Sequence, residues 1–193
     1  MRLLSLALLL FAMDCAAGSG TEPAKITNYE ASGNLQARTD LGCLKIDALR
    51  NTYTAADLYQ SNAACVKQGD LESAVYSSAL AGVYGRYDSM RVADKSAHQA
   101  QTVLRMNLSN SLTGDERERF AARLSAVAGD SSSLATLCKR IRAVGPPSYH
   151  PTYMIQHGMG AFVGSTGNGL VADFDSAGAW EMSLDTYLHC PRP

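Results

Sequence analysis

Residues 54–83 read TAADLYQSNAACVKQGDLESAVYSSALAGV and predict two helices joined by a tight turn. Thr54 and Asp57 stand three residues apart, close to the capping box that opens many helices, although Asp replaces the usual Glu. Gly69 is expected to end this first helix, and Asp70 can cap the helix that follows. Small and apolar residues then recur at helical spacing: Leu71, Ala74, Val75, Ala79 and Val83. The stretch therefore predicts a helical hairpin.

Helical periodicity continues through most of the chain on either side of this hairpin. A short helix is predicted before it, on three residues with helical spacing: Leu41, Leu44 and Ala48. After the hairpin, Gly82 and Gly85 are expected to weaken the end of the second helix. A further helix is predicted over about 90–108, and its alanine-rich face should let a neighbouring helix approach closely.

Three more helices begin at residues whose side chains suit an N-cap: Thr113 with Glu116, Asp130 or Ser131, and Asp175 or Ser176. Gly129 and the run Gly145–Pro147 are expected to end the first two of them. The apolar residues beside the Gly-rich run 164–169 allow either a small hairpin or an irregular loop. The predicted fold is all-α. It is a helical bundle or a short helical-repeat array of about six helices, with a Gly-rich loop or small hairpin near 160–173.

The hairpin resembles one helix pair of the tetratricopeptide and Sel1 types of helical repeat. The likeness covers residues 55–82 and rests on the turn Gly69–Leu71 and on small residues at Ala74 and Ala81, where neighbouring helices of such repeats pack tightly. The sequence departs from the repeat pattern at Cys65, where an aromatic residue is usual, and no clear second copy follows. The resemblance implies a stack of helix pairs with a concave groove.

The first seventeen residues have the three parts of a secretory signal peptide. Arg2 precedes an apolar run of about eleven residues, from Leu3 to Met13, and small residues follow up to Ala17. We therefore expect cleavage after Ala17 and a periplasmic or secreted protein. Lipid attachment at Cys15 is an alternative, but the acidic residue before this cysteine is a poor fit to lipoprotein signals.

The rest of the chain is expected to comprise a flexible linker over 18–39 and a single helical domain over 40–193. The formal net charge is −1, with neither half strongly charged, so the composition does not indicate a nucleic acid or an anionic membrane as partner. The signal run is too short to cross a membrane, which takes roughly 20 apolar residues. No motif indicates a cofactor or a metal, since the run Gly164–Gly169 lacks the ending of a phosphate-binding loop.

Four cysteines follow the predicted signal peptide, and an even number in an exported chain predicts two disulfides. Three pairings are possible. We favour Cys43–Cys65 and Cys138–Cys190, because the first closes a short loop and the second anchors the C-terminus. Zinc is a weaker alternative, since no two cysteines have the close spacing of a zinc site.

The segment 148–157, SYHPTYMIQH, holds the densest group of candidate functional residues. Tyr149, His150, Tyr153 and His157 suit a contact with a protein partner, because aromatic residues are enriched at interfaces. A packed connector is the alternative that we favour, in which the tyrosines cover the core and the histidines bond to the backbone. Catalysis or metal binding by the histidines is a third interpretation.

A second candidate group follows the hairpin and contains Tyr84, Arg86 and Tyr87 beside Asp88. Tyrosine and arginine are frequent in binding hot spots, which allows a partner-contact role. A structural Tyr–Arg–Asp network at a helix end is the alternative that we favour.

The combined pattern predicts an exported helical protein that binds another protein. An immunity protein or inhibitor that neutralises a toxin or a secreted enzyme is the leading hypothesis, by analogy. An envelope assembly or scaffold factor with a helical-repeat groove is one alternative. A hydrolase that uses the histidines of segment 148–157 is another.

Overall fold

The computed structural model describes residues 30–164 and 167–191, and this part of the chain is all-α, as predicted. It contains eight α-helices, of which six are long, and no β-strand. In chain order the helices are α1 (Ala55–Gln68), α2 (Leu71–Arg91), α3 (Ala100–Asn110), α4 (Gly114–Gly129), α5 (Ser131–Val144), α6 (Thr152–Ile155), α7 (Gly160–Val163) and α8 (Ser176–Leu188). The predicted signal peptide and residues 18–29 of the predicted linker lie outside the described residues.

The centre of the fold is α2, which is buried on almost every side. It pairs with α1 along most of its length, α8 packs on another side, and α3, α4 and α5 cover the remainder. Most of its 21 residues are buried. A helix covered all round does not need a single apolar face, which explains why small, aromatic and polar residues are mixed along it.

Two glycines in α2 let other elements reach its backbone. The ring of Tyr187 from α8 occupies the space that a Cβ atom on Gly82 would need, and the side chain of Gln101 from α3 lies similarly against Gly85. Gln101 also donates from Nε2 to the carbonyl oxygen of Gly82 at 3.0 Å. The expected weakening of the helix at these glycines is wrong, because tertiary packing uses both and α2 continues to Arg91.

The predicted capping residues stand at the helix ends. Thr54 and Asp57 form a complete capping box at the start of α1, and Gly69 ends α1 in the left-handed conformation. The side chain of Asp70 accepts a hydrogen bond from the backbone nitrogen of Ser73 at the start of α2. Predicted caps also open three later helices: Thr113 with Glu116 at α4, Asp130 at α5 and Asp175 at α8. These helix boundaries are confirmed.

Two predicted helices differ from the structure. The helix predicted over about 90–108 is wrong in its first half, because α2 runs to Arg91 and a 3-10 turn at Lys95–Gln99 precedes α3. This break lets the chain turn back so that α3 packs against α1. The helix predicted over 41–48 is reduced to a 3-10 turn at Ile46–Ala48.

Residues 30–39 belong to the predicted flexible linker, but the structure bonds them to the helical domain. The backbone nitrogen of Leu35 donates to the carbonyl oxygen of Tyr153 at 3.0 Å. The amides of Arg38 and Thr39 donate to the carboxylate of Asp57. Three residues of this part of the linker are therefore hydrogen-bonded to α6 or to α1.

The two favoured cysteine pairs are confirmed. Cys43 and Cys65 join the segment before α1 to the last part of α1, and their sulfurs are 2.06 Å apart. Cys138 and Cys190 join α5 to the C-terminal residues, with sulfurs 2.04 Å apart. Each crosslink restricts the unfolded chain, a contribution of typically about 2–4 kcal/mol to stability.

The region near 160–173 is a loop around one short helix. Within the described part of this region, the hairpin alternative is not realised. An isolated antiparallel bridge instead joins Leu170 to Val92, just after the end of α2. The bridge and the short helix α7 bring this loop next to the C-terminal end of the central helix.

Replacing Gly82 with Ala is expected to destabilise the fold by about 1–3 kcal/mol, because the added methyl group would overlap the ring of Tyr187. Gly129→Ala is the matched control, since open space surrounds that position at the end of α4. The control should be neutral or stabilising by up to about 1 kcal/mol. Urea unfolding measures both changes, and equal stabilities would contradict the packing of Tyr187 on α2.

Candidate functional site

The candidate segment 148–157 folds over the C-terminal part of α2. Its two tyrosines point inward to one carboxylate. Tyr149 and Tyr153 each donate a hydroxyl hydrogen bond to Oδ2 of Asp88, at 2.9 and 2.7 Å. Asp88 is fully buried. Two buried hydrogen bonds therefore attach the segment to the central helix.

Arg91 provides the opposite charge for Asp88. Its Nε and Nη2 atoms lie 2.8 and 2.7 Å from Oδ1 of Asp88, so one carboxylate oxygen faces the guanidinium and the other faces two phenols. The guanidinium carbon also lies 5.2 Å from the ring centre of Tyr87 and 5.1 Å from that of Tyr149. Aromatic faces stabilise a cation that has left water. We call Asp88, Arg91, Tyr149 and Tyr153 the Asp88 network.

Burial controls the protonation states within the Asp88 network. Loss of water raises the pKa of the Asp88 carboxyl, and the Arg91 guanidinium and the two phenol donors oppose this rise. Burial also raises the pKa of Tyr149 and of Tyr153 well above the usual range, and the nearby charge of Asp88 adds to that rise. Both phenols therefore keep their protons and remain hydrogen-bond donors. Burial therefore disfavours charge on all three of these groups, and the Arg91 guanidinium and the two phenols are the contacts that favour the ionised form of Asp88.

The second candidate group lies on α2. Tyr84 is fully buried, and its hydroxyl donates to the carbonyl oxygen of Gly145 at 2.9 Å. Tyr87 is also buried, and its hydroxyl lies 2.8 Å from Oγ of Ser176. Arg86 is exposed, so the arginine that joins the Asp88 network is Arg91.

Four of the seven predicted contact residues are thus interior: Tyr84, Tyr87, Tyr149 and Tyr153. A direct contact between these side chains and a partner does not fit their burial. The alternative of a packed connector over 148–157 does fit. The structural Tyr–Arg–Asp network fits only in part, because Asp88 is bonded to Arg91, Tyr149 and Tyr153 and not to the arginine and tyrosines predicted for it. The physical reason is that each phenol finds a partner for its hydroxyl inside the protein, which allows the whole ring to be buried.

The two histidines of the connector bond to different segments. His150 is exposed, and its Nε2 atom lies 2.9 Å from the carbonyl oxygen of Asn168. His157 is half-buried, and its Nδ1 atom lies 2.9 Å from Oδ1 of Asn34. Within the described part of the chain, no three His, Cys, Asp or Glu side chains are grouped so as to hold a metal ion. The hydrolase hypothesis stays a prediction.

An exposed apolar surface lies beside the connector. Met159, Phe162 and Val163 expose 63%, 49% and 77% of their surface, respectively. The spacing of these residues places them on one side of the single turn of α7. We call these three residues the apolar tip. The apolar tip was not predicted because Phe162 and Val163 resemble the start of a hairpin, although their position between Gly160 and Gly164 indicates a projecting loop.

The apolar tip has a firm base on the region that follows α2. The backbone nitrogen of Gly160 donates to Oδ2 of Asp94 at 2.7 Å, and that of Met159 donates to Oγ of Ser96 at 2.8 Å. On the other side of the loop, the backbone nitrogen of Val171 donates to the carbonyl oxygen of Arg91 at 2.8 Å. The tip is therefore exposed but well anchored.

A groove of about 490 Å³ runs along α1 on another side of the molecule. Its floor is the Ala-rich face of α1, including Ala56 and Ala64, and its walls are α3 and the segment before α1. Leu104 and Leu108 line the α3 wall. The volume is within the usual range of small-molecule sites, but the groove is open along its length.

Comparisons with protein-family models, curated proteins and solved structures find no significant match to this chain.

Replacing Asp88 with Asn is expected to destabilise the protein by about 3–5 kcal/mol, because Arg91 would remain charged and unpaired in the interior. Glu181→Gln is the control, since it weakens an ion pair with Arg142 at the surface. The control should change the free energy of unfolding by less than about 1 kcal/mol. Urea unfolding compares the two variants. A loss from Asp88→Asn no larger than that of the control would show that the network does not hold the fold together.

Proposed function

We propose that this chain is an exported protein-binding domain that inserts the apolar tip into a cleft of one partner protein. A role in neutralising a toxin or a secreted enzyme is the form of this function that we favour. The observation that carries the proposal is the exposure of Met159, Phe162 and Val163 on a single helical turn. Adjacent apolar side chains left in water commonly mark a contact surface.

The anchoring of the tip supports this proposal. Asp94 and Ser96 hold the backbone at the start of α7, and the loop beyond it is bonded to the end of α2. A binding element that already has its bound shape loses less conformational entropy on association. Little of the hydrophobic free energy gained by burying the three side chains in a partner would then be lost to ordering the loop.

Export is supported by the chemistry of the cysteines. Two disulfides are expected in an oxidising compartment and are rare in a reducing one. Within the described residues, no helix is long and apolar enough to cross a membrane. These features fit the predicted periplasmic or secreted location.

Replacing Phe162 and Val163 together with Ser is expected to weaken partner binding by about thirtyfold or more, since one hot spot contributes about 2 kcal/mol. The mature protein would be immobilised and exposed to a periplasmic extract of the native host, and retained proteins identified by mass spectrometry. Titration of the purified partner then gives the affinity. Both side chains are exposed, so the unfolding midpoint should stay nearly unchanged.

A matched control replaces two exposed methionines elsewhere, Met106 on α3 and Met182 on α8, with Ser. This variant removes similar apolar surface and should bind normally. Equal affinity of the tip variant and the control variant for the captured partner would rule out the tip as the contact surface.

A scaffold function is the second candidate, and the groove along α1 favours it. Ala64→Arg places a long charged side chain in the groove without altering the tip. A scaffold that uses the groove should lose several partners in this variant, as judged by the same capture experiment. If a single partner is lost, and the loss occurs in the Phe162 and Val163 variant but not in the Ala64 variant, the result would instead favour the inhibitor function.

A further inference from the structure

Residues 36–43 form a covering segment, here called the strap, that lies along one stripe of α1. The stripe consists of Asp57, Ser61 and Cys65, which follow one another at intervals of four residues and therefore share one side of the helix. All three are fully buried beneath the strap and its neighbours. The strap itself has no regular secondary structure.

Each residue of the stripe is attached directly to the strap or to its end. The amides of Arg38 and Thr39 donate to Oδ1 of Asp57 at 2.5 and 2.9 Å. The amide of Leu44, just after the strap, donates to Oγ of Ser61 at 2.9 Å. The third attachment is the disulfide between Cys65 and Cys43.

The hydrogen bonds between the strap and α1 are of a kind that allows the strap to detach from the helix. Water can replace the backbone amides as donors to Asp57 and Ser61, so removing the strap would expose polar groups at these two positions. The third position, Cys65, belongs to a small apolar cluster against which Cys43 packs. Asp57 also accepts from the backbone nitrogen of Thr54 at 2.7 Å, so it would still cap α1 without the strap. Residues 36–40 are all exposed. The disulfide is therefore the attachment that water cannot replace.

The two disulfides differ in access. Cys43 is only half-buried, whereas Cys138 and Cys190 are 3% and 2% exposed. A thiolate in solution must reach one sulfur of a disulfide to open it. Cys43 has exposed surface from which a thiolate can approach, whereas the C-terminal pair has almost none.

We propose that the strap is a redox-controlled wall of the α1 groove, released by a dithiol reductant. One thiolate of the dithiol attacks Sγ of Cys43, the bond between the two protein sulfurs breaks, and Sγ of Cys65 takes the electron pair and then a proton. The second thiol of the reductant then attacks the mixed disulfide, which frees the Cys43 thiol and leaves the reductant as a disulfide. Ala37 and Asp40 line the groove from the strap side, so release of the strap widens the groove.

Limited reduction of the native protein with dithiothreitol, followed by alkylation and mass spectrometry, tests the order of opening. We expect Cys43 and Cys65 to be alkylated at least tenfold faster than Cys138 and Cys190. Hydrogen exchange on the same partly reduced sample tests release. The amides of Arg38, Thr39 and Leu44 should exchange at least tenfold faster than in the oxidised protein, while amides in the middle of α2 stay unchanged.

Two variants separate strap release from general loosening. Cys43→Ser with Cys65→Ser should reproduce the fast exchange of the three strap amides without any reductant. Cys138→Ser with Cys190→Ser is the matched control and should leave these amides protected. Circular dichroism confirms that each variant folds. If the Cys43 variant does not fold, the partly reduced native protein still decides the question.

Either of two results overturns the inference. One is alkylation of Cys138 and Cys190 as fast as that of Cys43 and Cys65. The other is unchanged exchange at Arg38, Thr39 and Leu44 once the Cys43–Cys65 bond is open. In the second case the hydrogen bonds to α1 hold the strap by themselves, and the disulfide only adds stability.

Discussion

The burial of α2 on all sides is the constraint on which the rest of the structure depends. A carboxyl and a guanidinium that are buried on such a helix need hydrogen-bond partners, and α2 carries both, on Asp88 and Arg91. The fold meets this demand by closing segment 148–157 over the two residues, with one phenol donor on each of two tyrosines. At Gly82 the absence of a side chain lets another element approach, and the ring of Tyr187 lies against the helix backbone there. Segment 148–157 and α8 therefore contribute side chains to the hydrophobic core around α2.

The same end of α2 also positions the apolar tip. The side chain of Arg91 pairs with Asp88 in the interior, while its carbonyl oxygen accepts a hydrogen bond from Val171 in the tip loop. Asp94, three residues later, holds the amide of Gly160 at the start of α7. One short stretch of chain thus supports the Asp88 network on one side and the tip on the other. A buried network under an exposed apolar turn supports recognition through the tip, since the tyrosines below it are already occupied with their own hydrogen bonds.

The helix boundaries that carry a capping residue or a turn glycine were predictable because they depend on neighbours in the sequence. The capping box at Thr54 and the turn at Gly69 need only residues within one helical turn, and the structure has both. The course of α2 through Gly82 was not predictable, since the ring that fills that space comes from the last helix. Tyr149 shows the same limit. A tyrosine suits either an interface or a core, and here the choice depends on a carboxylate 61 residues earlier in the chain, that of Asp88.

The strap is irregular and the tip is a single helical turn, and the two segments are attached in different ways. The strap bonds to Asp57 and Ser61, whose polar groups water can solvate equally well, so its position rests on the bond between Cys43 and Cys65. The tip loop is held by several hydrogen bonds to the chain that leaves α2, among them Gly160 to Asp94 and Val171 to Arg91, beside the buried ion pair of Arg91 with Asp88. Exchanging a protein hydrogen bond for one to water costs little at a surface, whereas a buried polar group left unpaired costs much. The strap is accordingly the segment suited to move, and the tip is the segment suited to keep its shape while a partner binds.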